Sequence, residues 1–239
     1  MARAHTDSPV ARLLVSLQLS DSAFPSGFYT MSHGLEGFHQ QGLVRPAGVG
    51  DLLADLLTSA VGPGDATALA RAHEAAGARD WDAVADVDRI LFASKLNAEL
   101  RVASTRSGRQ LADIASEAFA DGPGAEDIAS WAKRVKAKES PGCQPVVTAV
   151  CYAATRVPIA EAVASDLFAF AVSFVGAALR LRLTDHRGAQ VLLRRAQPVI
   201  ETVTDDAIAR PLRDIGGFAP VADIMSAAHE RAEARLFTS

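Results

Sequence analysis

Residues 167 to 179 read LFAFAVSFVGAAL, an uncharged run fenced by Asp166 on one side and Arg180 on the other. A helix that is apolar all round has to be covered on every side. Thirteen residues of helix rise about 20 Å, short of the ~30 Å hydrocarbon layer of a bilayer, so the run reads as a buried core helix rather than a membrane span. The rest of the chain must supply what covers it.

Most of it reads as further helix. Val10, Leu13, Leu14 and Leu17 fall on one helical stripe, with Pro9 in the first turn. Pro25 and Gly27 break the chain, and a helix is expected to resume near Tyr29 and run to about Gln41, where Gly42 stops it. Further helices are expected near 49–60, 66–78, 81–99, 106–120, 125–138, 144–155, 159–183, 187–200 and 220–235. GPGD at 62–65 and GPGA at 122–125 read as turns, Ser140-Pro141-Gly142 as a stop, and the stretch around Pro211, Gly216, Gly217 and Pro220 as a loose linker. No segment alternates long enough to read as a sheet. The expected architecture is all-α: one domain over residues 9–239, a bundle of roughly ten helices with a mobile C-terminal tail, preceded by a disordered stretch at 1–8.

The formal net charge of −4 removes the basic excess on which phosphate binding depends, so neither nucleic acid nor a helical transcription module is favoured as the reading. No membrane association is expected. Cys143 and Cys151 are eight positions apart, which is neither a CxxC pair nor a disulfide framework. The opening MARAHTDSPVARLLV has no long apolar stretch and no small-residue cleavage site. Together these point to a cytoplasmic protein with free thiols. A Walker A loop, a GxGxxG turn, HExxH and a nucleophile elbow are all absent from the sequence, so no catalytic residue and no nucleotide cradle is assigned.

The chemistry-bearing residues gather in SDSAFPSGFYTMSHGLEGFHQQG, residues 20–42. If 29–41 is helical, spacings of three bring His33 near Glu36 and Glu36 near His39. Such a set suits weak, transient contact with a divalent ion better than a closed four-ligand site, and the reading favoured over both is a set of polar residues that hold a helix terminus and a partner in register. Cys143 stands at a helix start, where a thiolate is favoured. Lys133, Arg134, Lys136 and Lys138 form a basic patch that suits a helix C-terminus or an acidic protein surface, and Arg101, Arg106 and Arg109 form a second. At the other end, Leu236 and Phe237 lie within three residues of the last one. Two large apolar groups there call for burial, with a partner interface favoured over the chain's own interior.

The residues also carry a resemblance. Pro25, Gly27, Tyr29, Ser32, Gly34, Leu35 and Glu36 fall on the N-terminal pattern of the UreF-type urease accessory proteins. Gln190 in DHRGAQVLL resembles that family's middle segment. Pro220, Asp223, His229, Glu230, Arg235, Leu236, Phe237 and Ser239 resemble its C-terminal pattern. Phe24 stands where the family often has leucine, and Phe28 where it often has a small residue. The resemblance implies an all-helical protein with no enzyme activity and no tightly bound cofactor. It implies binding to a UreD/UreH-type accessory protein, recruitment of a UreG-type GTPase that holds the GTP, and docking on apo-urease. Nickel is then handled by the complex as a whole, and a homodimer is expected. The implied partner-binding residues are Pro25, Gly27, Tyr29, Ser32, Glu36, Gln190, Asp223, His229, Glu230, Arg235, Leu236 and Phe237. The competing reading is a metal-dependent all-helical enzyme built on His33, Glu36 and His39, with His229 as a further ligand.

Overall fold

The computed structural model describes residues 8–25, 30–230 and 235–237. Among them there is no strand, and eleven α-helices form a single-domain bundle. The helix α1 (Pro9–Ser20) is capped by the Ser8 hydroxyl, which accepts the Ala11 N–H at 3.1 Å, with Pro9 in the first turn. Its apolar stripe faces outward: Val10, Leu13, Leu14 and Leu17 are 54–64 % exposed, while Ser16 and Leu19 are buried.

The core is built around α8 (Gln144–Ala154), buried continuously from Gln144 to Tyr152. It packs between α4 (Thr67–Gly77) and α6 (Ala98–Ala118). Alanines on α4, Ala68, Ala70 and Ala72 among them, are fully buried and let the helices approach closely. At Gly108 of α6 a Cβ would lie 2.0 Å from the Gly142 carbonyl oxygen, so only glycine fits there. The loop before α8 is held by Asp88 of α5 (Trp81–Ser94). Its buried carboxylate accepts the Ser140 hydroxyl at 2.5 Å, the Gly142 N–H at 2.6 Å and the Cys143 N–H at 2.8 Å. Cys143, the residue before α8, makes no side-chain cap of its own, and Asp88 takes that role from another helix.

The run that opened the sequence reading lies in α9 (Ile159–Arg180), packed on α1, α8, α4 and α10 (His186–Ala209). The whole helix is 22 residues, longer than its uncharged stretch. By length and mean hydropathy it could cross a membrane, and half of its most apolar window is buried inside the bundle.

Four expectations are corrected. The helix expected over 29–41 is α2 (Leu35–Gln40), because His33 and Gly34 take positive φ of 54° and 84° and hold the chain out of helix until Leu35. The helix expected over 81–99 ends at Ser94, and α6 begins earlier than expected because the Asn97 side chain caps it, accepting the Leu100 N–H at 2.8 Å. GPGD is no turn: α3 (Val49–Leu56) passes through a widened π-helical segment, Leu57–Ala66, directly into α4. The linker at 210–219 is not loose, since it is hydrogen-bonded to that widened segment through the Gly216 and Phe218 N–H groups. GPGA does break the chain, between α6 and α7 (Ala125–Lys136), with Gly124 at φ 78°.

Candidate functional site

Three remote stretches of chain meet at one buried point. Glu36 stands in the first turn of α2, Glu99 in the first turn of α6 and His229 in the last turn of α11 (Pro220–His229). His229 is 1 % exposed and Glu36 2 %. The His229 Nε2 lies 2.7 Å from Glu36 Oε2, and Nδ1 lies 3.2 Å from Glu99 Oε1. Both ring nitrogens face carboxylate oxygens, and an imidazolium, with two N–H donors, satisfies both. Arg235 adds a second cation, its guanidinium 3.3 Å from Glu99. Two carboxylates thus meet two potential cations, the condition under which buried charge is tolerated.

The remaining capacity of Glu36 holds the end of the chain. Its Oε1 accepts the Leu236 N–H at 2.9 Å and its Oε2 the Phe237 N–H at 3.2 Å. The Phe237 ring is buried under the Arg180 guanidinium, 4.2 Å from the ring centre, while Leu236 remains 75 % exposed. The expectation that both apolar residues are kept for a partner is therefore corrected for Phe237. The chain bends at Leu236 and Phe237, and one side chain is sealed while its neighbour faces out.

The other expected site residues distribute as follows. Ser32 is fully buried near Glu36, its hydroxyl 3.4 Å from the Glu36 amide nitrogen. Asp223 is partly buried, and desolvation raises its carboxyl above the ordinary range. Pro25, Gln190 and Glu230 are exposed, and Gln190 lies on α10, away from the His229 knot. Gly27 and Tyr29 lie outside the described residues. Glu99 was missed. Its one sequence signal is an acidic residue in the first turn after an Asn cap, a pattern that ordinarily marks an exposed helix start.

His33, Glu36 and His39 do not converge. His33 turns the other way, its Nε2 2.8 Å from the Ser173 hydroxyl oxygen and its ring against Phe170. Burial, helped by Arg180, lowers its pKa to about 3, so the imidazole is neutral. His39 is exposed. Among the described residues no group of three or more His, Cys, Asp or Glu side chains could hold a metal ion. The thiolate expectation for Cys143 is corrected as well: burial and the neighbouring Asp88 raise its pKa strongly, and burial alone pushes Cys151 up to about 12.

Behind the knot lies a cavity of about 200 Å³ that reaches Asp166 of α9. Burial raises the Asp166 pKa to about 7, offset in part by the Gln144 amide, which donates to it at 2.8 Å. A carboxyl raised from 3.8 makes the folded state bind the extra proton between pH ~4 and ~7. Stability from this group therefore falls as pH rises through that window and is flat above it. Asp166→Asn should remove that slope and leave the variant more stable at pH 8 by on the order of 4 kcal/mol, read by urea titration across pH 4–8. The neutral His33 acts in the opposite sense, costing stability as pH falls below about 6.5, and cancels in the difference between parent and variant.

Taken together, these features define an all-helical protein whose conspicuous buried polar centre ties down its own C-terminal segment. The chain belongs to the UreF family, whose model matches residues 43–197. It is 32% identical over 228 residues to urease accessory protein UreF 2 of Brucella canis, covering 94% of this chain and 91% of that protein. The same figures hold for UreF 2 of Brucella abortus. Urease accessory protein UreF of Yersinia enterocolitica is 31% identical over 229 residues, covering 95% of this chain and 98% of that one.

Proposed function

We propose that this chain is a urease accessory protein that works as a non-catalytic scaffold in metallocentre assembly. It binds a UreD/UreH-type partner and, with it, recruits a UreG-type GTPase to apo-urease. Its cytoplasmic location and its homodimeric state belong to the same reading. GTP is held by the GTPase, and nickel is cargo passed within the complex. A scaffold of this kind acts by raising the local concentration of donor and acceptor, and by binding one nucleotide state of the GTPase better than the other. A preference of about 1.4 kcal/mol between those states shifts their ratio tenfold.

The observation that carries the reading is the terminal segment. Glu36 fixes the backbone of Leu236 and Phe237, Phe237 is sealed inward, and Leu236 is left facing solvent. An apolar side chain presented on an immobilised backbone loses little entropy on binding, which favours a docking anchor. Pro25, Gln190 and Glu230 are exposed and are assigned to partner contact.

The test separates anchor from fold. Leu236→Asp should leave thermal unfolding within about 2 °C of the parent, since a surface change is worth at most ~0.5 kcal/mol. It should reduce co-purification with the UreD-type partner at least tenfold. Undiminished recovery of the partner would remove Leu236 from the interface and the main support of the reading with it.

A further inference from the structure

The Gly62-Pro63-Gly64 stretch sits inside a helix, where proline is ordinarily destructive. It lacks the N–H that an α-helical residue at 63 would aim at the Ser59 carbonyl. The helix answers by widening over Leu57–Ala66, and the Thr67 N–H reaches the carbonyls of Gly62 and Gly64, passing over that of Pro63. Both carbonyls find donors elsewhere. The Phe218 N–H donates to the Ser59 oxygen at 2.9 Å, and the Gly216 N–H donates to the Pro63 oxygen at 3.0 Å.

The partner segment is fitted to that place. Gly216 holds φ at 142°, a value open to glycine and strained for other residues. At Gly217 a Cβ would lie 2.7 Å from Ala60 Cα and 2.8 Å from the Ser59 oxygen, so the backbone lies flat on the helix. Two glycines that read in sequence as slack are thus required, Gly216 by its backbone angle and Gly217 by contact. Immediately beyond them, Gly217, Ala219, Ala222 and Asp223 form one wall of the cavity that reaches Asp166 and Gln144.

We propose that Pro63 creates a receptor in the helix wall for residues 216–218, and that docking of this strap closes one side of the cavity that reaches Asp166. The strap precedes α11, whose far end stays pinned by His229 between Glu36 and Glu99, so the cavity opens at the strap alone when the two amides leave the Ser59 and Pro63 carbonyls. This device is independent of the Glu36 contact with the tail, and it stands whether or not the tail meets a UreD-type partner.

A thiol reporter in the full-length chain tests it. Ser104 lines the cavity with its hydroxyl oxygen shielded from solvent, and both native cysteines are buried. In Ser104→Cys, labelling by a maleimide reports access to the cavity, with the parent protein giving the background. Adding Pro63→Ala restores a donor for the Ser59 carbonyl inside the helix. Adding Gly217→Ala instead pushes the strap off by contact and leaves the helix untouched. Each should raise the labelling rate about tenfold, equivalent to about 1.4 kcal/mol, with the Phe218 amide losing protection from hydrogen exchange by a similar factor. Either variant labelling at the parent rate with Phe218 still protected overturns the proposal. If Pro63→Ala does not fold, as judged by circular dichroism, Gly217→Ala with the exchange measurement decides alone.

Discussion

His229→Ala should destabilise the folded protein by about 3–5 kcal/mol, the range for removing one member of a buried ion network. The imidazole lies between Glu36 and Glu99, both nearly sealed from solvent. Without it the two carboxylates face an emptied volume, with Arg235, the tail amides and the Gln40 amide left to compensate among the described residues. Chemical denaturation read by far-ultraviolet circular dichroism measures the loss. Because Glu36 also holds the Leu236 and Phe237 amides, the variant should release the chain end. Phe237 would then lose its place under Arg180, and co-purification with the UreD-type partner should fall together with stability. His229→Gln keeps one donor and should recover part of both losses. A variant that retains full stability while losing the partner would show that His229 touches the partner directly rather than tying the tail. Retention of both would remove the knot as a functional element.

Asp88→Ala should be of comparable size, about 3–5 kcal/mol, and should leave partner binding to the residual folded protein intact. Three donors converge on this carboxylate from the turn that precedes α8. Truncation strands the Gly142 and Cys143 amides in the core, and an unmade buried hydrogen bond costs more than a made one gains. The turn cannot move outward to find water, because Gly108 and the Val135 side chain press against Gly142 from two sides. Equilibrium unfolding in urea gives the magnitude. A loss below about 1 kcal/mol would mean that the turn repacks and that Asp88 is not its anchor.

Much of the fold was legible because helices are local. The apolar run from Leu167 to Leu179, the alanine-rich segments and the stop at Ser140-Pro141-Gly142 announce themselves over a few turns of chain. Where the reading failed, a distant contact decided. GPGD and GPGA have nearly the same local chemistry. One breaks the chain and the other is absorbed into a helix, because only at Pro63 do the Gly216 and Phe218 amides arrive to take the carbonyls that a kink leaves over. The α1 stripe was found correctly, but its amphipathic pattern could not say which face the bundle would cover. For the candidate site, Glu36, His229 and Arg235 were already marked by their place in two terminal motifs. Glu99 was not, since an acidic residue after an Asn cap is common at exposed helix starts. The grouping of His33 with Glu36 and His39 assumed a helix that two left-handed residues, His33 and Gly34, prevent.

The sequence by itself determined the helical class, the core helix and the family, because each rests on residue type and short-range spacing. Only the tertiary structure decided that Glu36, Glu99 and His229 form one buried knot, that Phe237 is sealed while Leu236 is not, and that a proline in a helix serves as a docking place. Those outcomes join positions more than a hundred residues apart. Their free energy comes from desolvated charge and from backbone groups that must find partners somewhere, and a linear pattern does not say where.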